Sequence, residues 1–240
     1  MSDQDDIYGD HISHQFNDEL ARLKEDFLHM GGMVEQQVAD AIQALTNGDG
    51  ELASQVRQKD KKVDRLELEI DEEATRIIAR RQPTARDLRL VISVIKMVAD
   101  LERIGDEAKK TAKLAMRLAE EGQAPRGYVE VRNIGRHVGQ MLHDALDSFA
   151  RLDSEQALEI IREDARVDEE YQGAARTLLT FMMEDPRNIS RCMSVMWVLR
   201  ALERVGDHAC NIAEHVIFMV KGEDVRHASM EEAERVVGGP

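Results

Sequence analysis

Acidic side chains four residues apart recur in this chain. Glu102 and Asp106 form one such pair, and Glu203 and Asp207 form another in the same context, Leu-Glu-Arg-Ile/Val-Gly-Asp. A spacing of four residues places both carboxylates on one face of an α-helix. Residues four, seven and eleven places before each glutamate are apolar, so the acids lie where a core-facing stripe should continue. Like charges on such a stripe need a counter-charge, and a multivalent cation would supply it.

Two aspartate pairs with the same spacing precede these segments, and each pair flanks an apolar heptad seam. If neighbouring helices are antiparallel, the pairs converge into a cluster of four acids in each half of the chain. Carboxylate oxygen is a hard ligand that favours Mg, Ca, Mn or oxidised iron, and the identity of the ion stays open. The candidate metal ligands are Asp60, Asp64, Glu102, Asp106, Asp164, Asp168, Glu203 and Asp207.

Isolated acids on long charged helices are usually solvated, but repetition in two copies favours a cation site. Arg103 and Arg204 could neutralise the acids as salt bridges, although each lies about 100° around the helix from the preceding glutamate, which predicts that it points elsewhere. Gly105 and Gly206 lie inside the two helices, where each glycine lowers helix stability by about 1 kcal/mol relative to alanine. Their presence in both copies indicates the close approach of a backbone or a bulky ligand.

The two copies differ beyond the shared motif. The stripe continues with Lys109 after Asp106, and with Cys210 after Asp207. The number of ions in each half is therefore open. His208 is interpreted as solvated or locally bonded rather than as a ligand, and Trp197 as a packing residue.

Prolines and glycines divide the chain into long segments with apolar residues at spacings of three and four. They predict six helices, over residues 15–46, 51–80, 86–121, 128–151, 154–183 and 187–221. A shift of 104 residues superposes the first two helices on the fourth and fifth, and a shift of 101 superposes the third on the sixth. The prediction is an all-α fold of two tandem three-helix bundles. Bundles over 15–123 and 124–221 would lie between a disordered tail, 1–14, and a flexible tail, 222–240.

Composition limits the function classes. The 240 residues carry a net charge of −15 without an evident basic stripe, which disfavours nucleic acid as a partner. No apolar run approaches the roughly 18 to 20 residues of a membrane span, and no signal segment opens the chain, so we expect a cytoplasmic protein. Neither a nucleophile with its base nor a glycine-rich phosphate loop is recognisable, which predicts a non-enzymatic protein.

The repeated acidic motifs and the tandem bundles resemble the PhoU family of bacterial phosphate-transport regulators over residues 15–221. The resemblance implies metal clusters at these acids. It also implies a negative regulator of the phosphate-starvation response that links the ATPase subunit of the phosphate-specific ABC transporter to a sensor histidine kinase and modulates phosphate uptake. Contact with the membrane would be indirect, through these partners.

Two other interpretations stay open. Acids on bundle helices also build di-iron oxidoreductases and ferritin-like stores, although no glutamate here is followed by histidine three residues later. The chain could also be a helical scaffold without an ion. A homodimer is our expectation, and direct binding of inorganic phosphate cannot be read from the sequence.

Overall fold

The computed structural model describes residues 3–239, and side chains from residue 14 onwards. It contains seven α-helices over this range and one short 3-10 turn, Pro186–Asn188. The helices are α1 (Asp3–Asn47), α2 (Gly50–Arg81), α3 (Ala85–Glu121), α4 (Tyr128–Arg151), α5 (Ser154–Glu184), α6 (Ile189–Lys221) and α7 (Met230–Gly238). The prediction of an all-α fold of tandem three-helix bundles is confirmed.

The internal repeat is visible in the caps that begin equivalent helices. Asp49 caps α2 by accepting a hydrogen bond from the backbone N–H of Leu52 at 2.9 Å. Asp153, 104 residues later, caps α5 by accepting from the two N–H groups of Glu155 and Gln156, each at 3.0 Å. Both caps satisfy donors that a helix start leaves unpaired, and they fix the turn that brings α2 and α5 back against their bundles.

One hydrophobic core runs through both bundles. The helices α1, α2 and α3 pack together, as do α4, α5 and α6, and the two groups meet through α3 against α6 and α1 against α4. Phe27 of α1 and Phe149 of α4 form an edge-to-face pair with centroids 4.5 Å apart across this contact, and both rings are fully buried. No helix within residues 3–239 has the length and apolarity that crossing a bilayer requires.

The ends of the chain differ from the prediction. Helix α1 begins at Asp3, so residues 3–14 of the predicted disordered tail are helical, because extending a formed helix needs no new nucleation; residues 1 and 2 of that tail lie outside the described residues. The prediction of a flexible C-terminal tail is wrong for the residues that form α7. This helix begins with a capping box between Ser229 and Glu232. Val237 of this helix is buried, and its carbonyl oxygen accepts a hydrogen bond from the Nζ of Lys221 at 2.7 Å.

Candidate metal centre

Three of the predicted ligands meet in the second half of the chain. One carboxylate oxygen from each of Asp168, Glu203 and Asp207 lies within 4.8 Å of the other two, and we call these residues the acid triad. Helix α5 supplies the first acid and α6 the other two, so neighbouring helices bring together three of the four acids that the sequence predicts to converge in this half. Only 6% of Glu203 is exposed, and its Oε2 has no hydrogen-bond partner among the described residues. This atom has the free lone pairs that a cation could engage.

The fourth predicted acid of this half, Asp164, lies close enough for the charges of the triad to affect its pKa. Burial raises the pKa of Asp164 to about 6, with further contributions from the negative charges of Asp207 and Asp168. Burial also raises the pKa of Glu203 to about 7, and Asp207 adds to that shift. The pKa of Asp207 is raised by burial as well. These carboxylates repel one another and are partly desolvated, which is the situation that a bound cation relieves.

Arg200 already contacts one edge of the triad. Its guanidinium forms an ion pair with Oε1 of Glu203 and stacks over the ring of Tyr171, 5.8 Å from the centroid. The guanidinium leaves Oε2 of Glu203 and the two aspartates without an ion pair among the described residues. The residues therefore fit a hard cation held by oxygen from all three acids.

The equivalent acids of the first half are arranged differently, because a lysine ammonium lies among them. The Nζ of Lys109 is 2.5 Å from Oδ2 of Asp60 and 3.4 Å from Oδ1 of Asp106. Asp60 is 2% exposed, so this ion pair neutralises a buried carboxylate. Hydrogen bonding to Asp60 raises the pKa of Lys109, which keeps the ammonium charged.

Asp64 and Glu102 complete the first acidic set without forming a second triad. Burial raises the pKa of Glu102, and the negative charges of Asp106 and Glu67 add to the shift. Within the described part of the chain, the acid triad is the only group of three or more His, Cys, Asp or Glu whose ligand atoms lie this close together. Where the first half has Lys109, the second half has Cys210, whose thiol has a pKa raised by burial and therefore stays neutral.

The arginines beside the glutamates do not both point elsewhere. The Nε of Arg103 lies 3.6 Å from Oε2 of Glu102, so this prediction is wrong for the first half, because a long side chain can fold back around the helix. Arg204 does point away from Glu203. Its Nη1 reaches Oε1 of Glu107 on α3, 2.5 Å away, and links the two halves.

The helix-interior glycines do not accommodate a backbone or a large group. A Cβ atom at Gly206 would lie 3.5 Å from the side chains of both Val138 and Val167, which is ordinary van der Waals contact. A Cβ atom at Gly105 would meet Oε1 of Gln37 at 3.4 Å. The neighbours are side chains, so the expectation of a backbone or bulky ligand at these positions is wrong.

His208 takes part in the contact between halves and not in the triad. Its Nδ1 lies 2.8 Å from Oδ1 of Asp100 on α3, and Nδ2 of Asn211 donates to the same oxygen at 3.0 Å. His208 is thus neither solvated nor bonded within its own half, since its side chain is 16% exposed and its partner lies on α3. Asp100 has alanine at the equivalent position of the second half, so the repeat pattern could not reveal this contact.

Cationic side chains of α2, α3 and α6 line one groove, although they form no basic stripe in the sequence. Two adjoining cavities of about 490 and 520 Å³ share Arg57, Lys110 and Lys113 in their walls, and we call them together the basic groove. Its remaining cations are Arg103, Lys109, Arg117 and Arg204. Trp197 lines the second cavity and is 56% exposed, so its interpretation as a packing residue is wrong.

Comparison with known proteins gives a consistent result. The family model described as the PhoU domain matches twice, over residues 27–115 and 131–216. A phosphate-specific transport system accessory protein PhoU homolog of Pseudomonas putida is 56% identical over 95% of this chain and 90% of its own length. The phosphate-specific transport system accessory protein PhoU of Escherichia coli strain K12 is 47% identical over 95% of each chain.

Solved structures agree with the sequence matches. The crystal structure of PhoU from Pseudomonas aeruginosa superposes with a TM-score of 0.85 at 56% identity and covers 87% of this chain and 100% of that one. The phosphate transport system regulatory protein PhoU from Streptococcus pneumoniae superposes with a TM-score of 0.81 at 29% identity, over 88% and 99% of the two chains. The chain belongs to the PhoU family.

Proposed function

We propose that this protein is a non-enzymatic, cytoplasmic regulator of phosphate uptake that acts as an accessory to a phosphate-specific transport system. Membership of the PhoU family carries the proposal, since relatives similar along almost the whole chain are named as accessory proteins of that system. The fold supports it, because long helices joined by short loops offer extended faces to protein partners.

The finer proposal is negative regulation of the phosphate-starvation response. The protein would link the ATPase subunit of the transporter to a sensor histidine kinase. A strain that lacks the protein should express phosphate-scavenging genes in phosphate-rich medium, and normal repression in that strain would refute the role. Purified protein should capture the ATPase subunit and the kinase in pull-down experiments. A repeat after chelation would show whether the ion takes part.

We further propose that the acid triad binds a hard divalent or trivalent cation such as Mg, Mn or Fe. The support is the buried Oε2 of Glu203 without a partner, together with two aspartate oxygens close by. Asp164 would add negative charge near the ion. When bound, the ion would neutralise the repulsion between α5 and α6 and hold these helices together at this level.

Metal content tests this site directly. Protein purified without chelator should contain metal, and Asp168→Asn with Asp207→Asn should lose it. Glu169→Gln removes an exposed acid next to the site and is the matched control. Equal metal content in the double variant and the control would remove the assignment. Ferroxidase turnover by the loaded protein would instead favour the di-iron oxidoreductase or ferritin-like alternative.

A homodimer remains part of the proposal. Leu179, Met183 and Ile189 are exposed large apolar residues around the connection between α5 and α6, which supports an interface there. Light scattering at several protein concentrations tests it, and a monomeric mass throughout would refute it.

A further inference from the structure

The basic groove is unusual for a chain with a net charge of −15. The first of its two cavities has six cationic residues and two carboxylates in its walls, and the second has four cations and one carboxylate. Such concentration of positive charge in a concave surface raises the local concentration of anions. The groove therefore has the electrostatics of an anion site, independently of the metal centre.

Two of the seven cations in the groove have no carboxylate partner among the described residues and are available for a ligand. Lys113 forms no ion pair with a carboxylate anywhere in the described residues, and Arg57 donates only to the Sδ of Met116, at 3.6 Å. Both are among the residues shared by the two cavities. By contrast, the carboxylate of Glu107 is already paired with Lys110 at 2.7 Å and with Arg204 at 2.5 Å. This carboxylate therefore holds two of the groove's cations in place. The remaining three cations are likewise paired with acids: Arg103 with Glu102, Lys109 with Asp106 and Arg117 with Glu121.

The second cavity adds a surface for a flat ring. Trp197 lies in the same cavity wall as Lys113 and Arg117, together with the apolar Leu114 and Met116. An aromatic face beside apolar side chains is the surface on which nucleobases stack. The volumes of the two cavities, about 490 and 520 Å³, are in the range of small-molecule sites.

We propose that the basic groove binds a nucleotide with several phosphate groups. The base stacks on Trp197, and the phosphates lie on Arg57, Lys110 and Lys113, where the two cavities join. Flexible lysines and a planar guanidinium suit a flexible polyphosphate. This site is separate from the proposed metal centre, because no residue of the acid triad lines either cavity.

The chain offers a direct probe, since Trp197 is its only tryptophan. Titration with ATP in EDTA should quench the fluorescence of this residue saturably, and EDTA removes any contribution of a bound metal. Inorganic tripolyphosphate should bind about tenfold more weakly than ATP, because it lacks the base, and adenosine should be weaker still. Affinity should fall as salt rises, since the cations are exposed.

Variants locate the site. Arg57→Ala with Lys113→Ala should weaken ATP binding at least tenfold, as should Trp197→Leu measured by calorimetry. Lys61→Ala with Lys62→Ala removes two exposed cations of α2 outside the groove and should change nothing. Circular dichroism confirms folding of each variant. Equal ATP affinity in the groove and control variants, equal affinity for tripolyphosphate and ATP, or no saturable binding at millimolar ATP would each overturn the proposal.

Discussion

Replacing Lys109 by methionine is expected to create a second ion site in the first half of the protein. The ammonium that now pairs with Asp60 and Asp106 would be lost, while a side chain of similar length is kept. Asp60 and Asp106 would then have no ion-pair partner among the described residues, as is the case for the equivalent Asp164 and Asp207 of the second half, where Cys210 stands in place of the lysine. The converse change, Cys210→Lys, should place an ammonium among the acids of the second half and exclude the ion there.

The expected loss of stability in Lys109→Met follows from the burial of Asp60. Removing one partner of a fully buried ion pair costs about 3–5 kcal/mol. Because Lys109 is 43% exposed and partly screened, we expect a smaller loss, roughly 1–3 kcal/mol in the free energy of unfolding in chelator. A cation that binds the folded protein alone, at one hundred times its dissociation constant, returns about 2.7 kcal/mol. Saturating Mn²⁺ should therefore restore most of the stability of the variant.

Mn²⁺ binding measured by calorimetry, with urea denaturation in chelator and in Mn²⁺, tests this reasoning. The natural chain should bind one ion, Lys109→Met two, Cys210→Lys none, and the double exchange one. Lys110→Met removes the neighbouring ammonium, which pairs with Glu107, and should leave the stoichiometry at one. Two ions in the natural chain, or one ion in both single variants, would refute the idea that Lys109 substitutes for a metal.

Three further predictions concern packing and charge. Gly206→Ala should raise the free energy of unfolding in urea by about 1 kcal/mol, because alanine favours the helix over glycine. The control Gly173→Ala, where a Cβ atom meets nothing within 4 Å, should give the same gain. A loss of stability at Gly206 alone would mean that the packing there is tighter than the structure shows. Burial raises the pKa of Glu214 to about 7 from 4.5, so the folded state binds the extra proton and stability falls as pH rises through this window. Glu214→Gln should therefore gain stability over the natural chain by up to about 3 kcal/mol between pH 4 and pH 8, and a pH-independent difference would contradict the shift. Phe27→Ala should cost about 3–5 kcal/mol, and a double-mutant cycle with Phe149→Ala should give a coupling of about 0.5–1.5 kcal/mol, whereas zero coupling would mean that the ring pair adds nothing beyond burial.

Helix positions were predictable because periodicity and helix-breaking residues are local signals. Helix α4 spans Tyr128–Arg151, as the sequence predicts, and α5 runs one residue beyond its predicted end. Helix α7 was missed although the capping box Ser229-x-x-Glu232 is readable in the sequence, because the Gly-Gly-Pro end suggested a tail.

The candidate site was predictable only in part. Spacing placed Glu203 and Asp207 on one face, and the repeat pointed to Asp168, since these signals need only helical geometry. Which cation neutralises which acid depends on side-chain reach across helices, so the ion pair between Lys109 and Asp60 was not foreseen. The basic groove was missed for a similar reason. Its cations come from three helices, and no single stretch of sequence contains them all.

The continuous core determines how the protein unfolds. Because Phe27 and Phe149 are fully buried against each other, separating the two repeats would expose an apolar face on each fragment. The 100-residue repeat is therefore a unit of the sequence, but it is not an independent unit of unfolding. Calorimetry should record one cooperative transition, and a chain cut near residue 125 should yield two fragments that either reassociate or precipitate.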